Sequence, residues 1–150
     1  MIKEFRNDYF FLSNMYICDI KFGNKKFYSV EHAYQWTKCN NPDWRKFCIE
    51  TTNPKFVKIK SKSIRPSKTF LKYRTKIMKK LVFLKFDNYP LNEMLLKTGD
   101  EYIEEGNYWH DNYWGNCYCN KCLNIKGKNI LGKIIMKKRN FLEKNGLQYK

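Results

Sequence analysis

In the segment Ser29-Val30-Glu31-His32-Ala33-Tyr34-Gln35, followed by Lys38, an acid, a phenol, an amide and an ammonium recur at helical spacing. Glu31, Tyr34, Gln35 and Lys38 stand at i, i+3, i+4 and i+7, so they share one helix face. A core-facing stripe is apolar, and this one is not. A carboxylate among such neighbours suits stabilisation of a developing cation or activation of water. The same spacing also fits a plainer arrangement, with Glu31 favoured by the helix dipole and the other three solvated.

A second constellation spans residues 104–115, Glu-Glu-Gly-Asn-Tyr-Trp-His-Asp-Asn-Tyr-Trp-Gly. Aromatic rings beside a carboxylate suit a planar heterocycle, which stacks on Trp while polar groups read its edges. Trp109 and Trp114 are equally at home in a core, and His110 alone is a common surface or structural histidine. A third is Cys117-x-Cys119-x-x-Cys122. Closely spaced thiols suit zinc, which takes four N or S ligands. A fourth would come from Cys18, Cys39, Cys48 or His110, and reduced free thiols are the default reading. Nothing pairs His and Cys in a nucleophile motif.

Several elements must position these residues. The turn Phe22-Gly23-Asn24 separates strands at residues 15–20 and 25–28, a β-hairpin. Ser29 caps a helix to about Lys38, and Asn53-Pro54 opens another. From about 66 to 86 the spacing of Phe70, Tyr73, Ile77, Leu81 and Leu84 predicts an amphipathic helix facing the core with those residues. Tyr89-Pro90 starts a short helix that Thr98-Gly99 ends. Asn129 caps the last, with Leu131, Ile134, Ile135, Lys138 and Leu142 on its mostly apolar face. Residues 106–128 show little periodicity, and a long irregular stretch rich in Gly and aromatics is read as functional. The class is α+β, predominantly helical, with a small β-hairpin, as one domain over residues 1–150.

Composition bounds the function. A chain of 150 residues with 43% hydrophobic and 17% aromatic residues can pack a core without disulfides or metal. No run of 18 apolar residues exists, so no membrane partner is expected. Met1-Ile2-Lys3-Glu4 lacks the apolar stretch of a signal peptide, so the expected location is the cytoplasm of a cell or host cell. The formal charge is +16, which suits phosphate ligands or nucleic acid. Coding bias explains it as well, because Arg, the better phosphate fork, occurs only five times among 30 basic residues. Between Glu50 and Asp87 there are twelve Lys or Arg and no acid. That stretch is a solvated helix face or a phosphate-facing wall that includes Arg65.

One ordered series joins these pieces. Phe11-Leu12-Ser13-Asn14 precedes Ser29-Val30-Glu31-His32 with Gln35 and Lys38, then Arg65, Met78, Lys85-Phe86, Leu95-Leu96 and Thr98-Gly99. Residues 103–107, Asp111-x-x-Trp114-Gly115, Gly127-x-Asn129-x-Leu131-Gly132, Met136 and Arg139 complete it. The set resembles the YbiA-like N-glycosidases, also called the NADAR family. Phe70 stands near where many relatives carry Trp, and the cysteine insert between Gly115 and Gly127 replaces a shorter Gly-rich connection.

The resemblance implies a YbiA-like fold and a hydrolase that cleaves N-glycosyl bonds. Its substrates would be the ribosylaminopyrimidine phosphates of riboflavin synthesis, with release of ribose 5-phosphate as metabolite damage control. Within the same class the alternative is an ADP-ribosyl hydrolase acting on ADP-ribosylated guanine, nucleic acid or NAD-derived nucleotides. Outside it stands a non-catalytic module for ADP-ribose or nucleic acid, which the presence of Glu31 argues against. Glu31 and Asp111 would be catalytic; Asn14, Tyr34, Gln35, Lys38, Arg65 and Trp114 would bind substrate. The chemistry requires no cofactor and no metal, so any zinc would be structural.

Overall fold

Gly23 and Asn24 turn the chain between two short strands, and both hold positive φ, 58° and 62°. That is a two-residue type I′ turn, which requires residues that tolerate the left-handed region. The computed structural model describes residues 1–146. In it the strands are β1 (Ile20–Phe22) and β2 (Lys25–Phe27), antiparallel with Phe22 opposite Lys25. The expected hairpin is present, but its first strand begins later than residue 15. The tight turn keeps Phe22 in the ladder, and beyond it the Cys18 N–H donates to Tyr28 O at 2.9 Å.

Helices then dominate an α+β fold. They are α1 (Val30–Trp36), α2 (Pro42–Glu50), α3 (Pro54–Ser61), α4 (Lys68–Lys85), α5 (Leu91–Leu96) and α6 (Ile130–Asn145). Two-residue strands β3 (Gly106–Asn107) and β4 (Asn116–Cys117) lie between α5 and α6, and 3₁₀ turns cover Asn7–Leu12 and Asn120–Cys122. No helix among the described residues is long and apolar enough to cross a membrane.

The chain forms two compact units, Asn14–Lys85 and a second made of Met1–Ser13 with the chain from Phe86 onward. In the first, α1 packs on α2, α3 and α4. Asn41 accepts from Asp43 N and Trp44 N at the start of α2, and Asn53 from Lys55 N at the start of α3, with Pro in the first turn of both. Helix α2 is absent from the sequence expectations although Asn41-Pro42 repeats the signal of Asn53-Pro54. Trp44, Cys48 and Val57 bury together beneath Trp36, Phe47 and Ile64. The buried face of α4 is Phe70, Met78, Leu81, Val82 and Lys85. The expected Tyr73, Ile77 and Leu84 lie to one side of it, because a lysine and a methionine take part of the core face.

In the second unit the ladder is parallel. Ile2 bridges Ile103, and Gly106 and Asn107 pair with Asn116 and Cys117. A Cβ on Gly115 would lie 2.0 Å from Glu105 O, so only glycine allows the chain to enter β4 so close to its neighbour. Asn129 sits at the start of α6, but its side chain does not cap it. Its backbone is left-handed at φ 50°, a conformation Asn tolerates. The side chain instead accepts from Glu105 N at 3.0 Å and donates to Ile103 O at 2.9 Å. The α6 face buries Leu131, Ile134, Ile135, Lys138 and Leu142 as expected, with Gly132 and Arg139. The two buried cations are partnered: Lys138 with Asp87, and Arg139 with Thr98 Oγ1 at 2.9 Å.

Candidate active site

Helix α1 is short, yet it is fixed at several points along its length. Ser29 Oγ accepts from His32 N, capping the helix as expected. His32 is fully buried between Ser29 Oγ (2.6 Å) and Thr51 O (2.8 Å). A carbonyl can only accept, so Nε2 carries the proton and Nδ1 accepts from the Ser29 hydroxyl. Burial lowers the His32 pKa below its ordinary value, against the pull of the Thr51 and Thr52 carbonyls. Trp44 Nε1 donates to Gln35 O at 2.7 Å, and Asn14 O accepts from Glu31 N at 3.0 Å. The Asn14 amide itself reaches Met78 Sδ at 3.5 Å.

These restraints place Glu31 and Gln35 inside the unit. Both are buried, and Gln35 Nε2 donates to Glu31 Oε1 at 2.9 Å. Gln35 Oε1 is buried with no hydrogen-bond partner among the described residues. A buried acceptor left in that state costs about 1–3 kcal/mol, so such atoms often mark a place where a ligand binds. Burial raises the Glu31 carboxyl above its ordinary 4.5; the Gln35 hydrogen bond and the charges of Lys58 and Lys38 pull it part of the way back. Desolvation wins, as expected where a carboxylate has one direct donor. Tyr34 is also buried, its ring centroid 5.1 Å from that of Phe70.

Lys38 is tied to both ends of the loop that carries Arg65. Lys38 Nζ donates to Ser61 O at 2.6 Å, and Lys38 O accepts from Ser67 N at 2.8 Å. The turn from Ser61 to Ser67, which carries Arg65, therefore wraps the end of α1. Arg65 is exposed and makes no ionic contact among the described residues. Burial lowers the Lys38 pKa, partly offset by Cys39 and Glu31.

Asp111 and Trp114 belong to the other unit and sit together there. Asp111 Oδ1 accepts from Tyr113 N (3.1 Å) and Trp114 N (2.9 Å), which closes a tight turn on the side chain. Asn107 holds the start of this turn, donating to Asp111 O at 2.8 Å. Trp114 is half-buried and meets the Tyr113 ring edge-on at 4.9 Å. Trp109 is 55% exposed and so is not core.

Two features were not legible as such in the sequence. Lys85 is completely buried, and burial pushes its pKa down to about 7, with Cys18 opposing. Its signal was a lysine on the apolar side of α4. The second is that, of four possible partners for Cys117, Cys119 and Cys122, His110 is the one brought to them. One donor atom from each of the four residues lies within 4.8 Å of the others.

The sequence matches the NADAR domain over residues 2–143, and the chain belongs to the NADAR family. Membership supports a glycosidase-like function, since the family is broadly associated with N-glycosidase activity. The fold is similar to the NMR structure of the E. coli protein YbiA, with a TM-score of 0.79 at 24% identity over 100% of this chain and 91% of that one. No curated protein matches the sequence.

Proposed function

We propose that the chain hydrolyses the bond between C1′ of a phosphorylated ribose and a nitrogen heterocycle. The observation that carries this reading is the Glu31–Gln35 pair: a buried carboxylate held by an amide donor, beside an amide oxygen with no partner among the described residues. Cleaving C1′–N builds oxocarbenium-like charge on the ribose. A desolvated carboxylate stabilises that charge far better than one in water, and it can also orient or deprotonate the attacking water. Glu31 takes this role. Gln35 Oε1 accepts from a ribose hydroxyl or a base N–H, and Asn14 is a second reader of such groups.

The phosphate goes to Lys38 and Arg65. Lys38 spends one donor on Ser61 O and keeps the rest, while the Arg65 fork binds phosphate oxygens bidentately. In the other unit, Trp114 is the residue to which the family resemblance assigns stacking on a heterocycle. Asp111, whose Oδ1 is bound to backbone, is assigned by the same resemblance to positioning a sugar hydroxyl.

The substrate class we assign is the ribosylaminopyrimidine phosphates of riboflavin synthesis. A second reading, ADP-ribosyl hydrolysis, draws on Lys58: this exposed cation on lysine-rich α3 contributes to the field at Glu31, and a longer polyanion would use it. The purified chain should be incubated with the ribosylaminopyrimidine phosphate, NAD, ADP-ribose and ADP-ribosylated DNA, scoring freed base or sugar. Release of ribose 5-phosphate from the first is the expected result. Turnover of none would favour a binding module.

A further inference from the structure

Residues 106–128 hold a defined shape with almost nothing apolar to hold it. The buried positions in this stretch are Asn107, Gly115, Cys117 and Cys122, whereas Leu123 and Ile125 are 66% and 50% exposed. A segment without a core of its own is normally secured by disulfides or by a metal. Disulfides are not used, because all three cysteines are free thiols.

We propose that His110, Cys117, Cys119 and Cys122 bind one zinc ion in a tetrahedral Cys₃His site that secures this segment. Zinc takes thiolate sulfur at about 2.3 Å and imidazole nitrogen at about 2.0–2.1 Å, so its ligand atoms stand roughly 3.5–3.8 Å apart. Here His110 Nδ1 lies 3.2 Å from Cys119 Sγ and 3.4 Å from Cys122 Sγ. One ring nitrogen carries one proton or one lone pair, so hydrogen bonding cannot satisfy both sulfurs. A cation between them satisfies all four donors.

The surroundings suit a thiolate centre. Cys117 Sγ accepts N–H groups from His110 at 3.3 Å and Cys119 at 3.5 Å. His110 has a left-handed backbone, φ 69°, an uncommon conformation for a side chain. Binding releases three thiol protons and leaves Zn²⁺ with three thiolates, a net charge of −1. Lys121, Lys126 and Lys128 lie close by in sequence, and the chain has no acidic residue between Asp111 and Glu143. The donor set is soft and lacks carboxylates, which selects zinc over magnesium or calcium.

The location gives the site a purpose. His110 and Cys117 bracket residues 111–116, so the metal closes a loop that contains Asp111 and Trp114. That consequence for activity rests on the glycosidase reading; metal binding does not. The full-length chain, purified without chelator, should contain about one zinc per molecule. Cys119→Ser and Cys122→Ser should lose at least nine-tenths of it, while Cys39→Ser, outside the cluster, keeps it. Because the cysteine variants could fail to fold, cobalt added to the reduced, chelator-stripped wild type supplies an independent reading. Thiolate-to-cobalt charge transfer with the strong d–d bands of a tetrahedral site is expected. Folded wild type with neither zinc nor that spectrum would overturn the proposal, as would full zinc retention in folded Cys119→Ser. Loss of zinc without loss of N-glycosidase turnover would leave the site standing and remove only its link to Asp111 and Trp114.

Discussion

Gln35 Nε2 donates to Glu31 Oε1 at 2.9 Å, one turn along the same helix, while the other end of the same amide is buried without a partner among the described residues. The pair therefore sets two quantities together: the charge state of the carboxylate and the placement of an open acceptor.

Removing the amide should move the carboxyl further from its ordinary value. Burial already raises the Glu31 pKa and the Gln35 hydrogen bond opposes that rise. Glu31 is needed ionised, so kcat/KM should fall on the acidic side with an inflection above 4.5. In Gln35→Leu the opposing hydrogen bond is gone and the inflection shifts to higher pH. A pH–rate profile of both proteins checks this; an unmoved or lowered inflection would contradict it.

Asp111 allows a turn-forming role to be separated from a role toward substrate. Asp111→Asn keeps Oδ1 as the acceptor for Tyr113 N and Trp114 N and changes the other oxygen to an amide. The expected outcome is an unchanged urea midpoint with kcat/KM reduced roughly 10- to 100-fold, about 1.4–2.7 kcal/mol. Equal losses in folding and rate, measured side by side, would make Asp111 a turn residue alone.

Lys85 makes a prediction about stability. Its pKa is about 7 in the fold against an ordinary 10.5. Between those values the unfolded chain holds a proton that the folded chain has released, so stability rises with pH through that window and is lost as pH falls toward 7. Lys85→Met should remove this dependence. Urea midpoints for both proteins at pH 7 and pH 9.5, compared as differences, check the sign.

How far these features could be read beforehand depended on the range of the interaction. The Ser29 cap, the Gly23-Asn24 turn and the α6 face follow from local rules of spacing and turn chemistry, and all three are present. The stripe of Glu31 and Gln35 is local too, since residues four apart on a helix meet. What decides whether Glu31 is solvated is not local: Trp44, Thr51 and Asn14 hold α1 from outside it. Strands β3 and β4 have two residues each, too few to show alternation. Asn129 follows cap chemistry in sequence, but a left-handed backbone accompanies an amide turned to Ile103 O and Glu105 N. The cysteine spacing left a metal open beside the default of free thiols, whereas the approach of His110 involves a positive φ that no spacing rule contains.

Glu31 is the residue we assign to stabilising the ribosyl cation. Steady-state release of ribose 5-phosphate by Glu31→Gln tests it directly, because the substitution keeps size and burial while removing the charge. The expected outcome is a fall in kcat of roughly 10²–10⁴, about 3–5 kcal/mol in the barrier, with KM little changed. Turnover by the folded variant at close to the wild-type rate would contradict it.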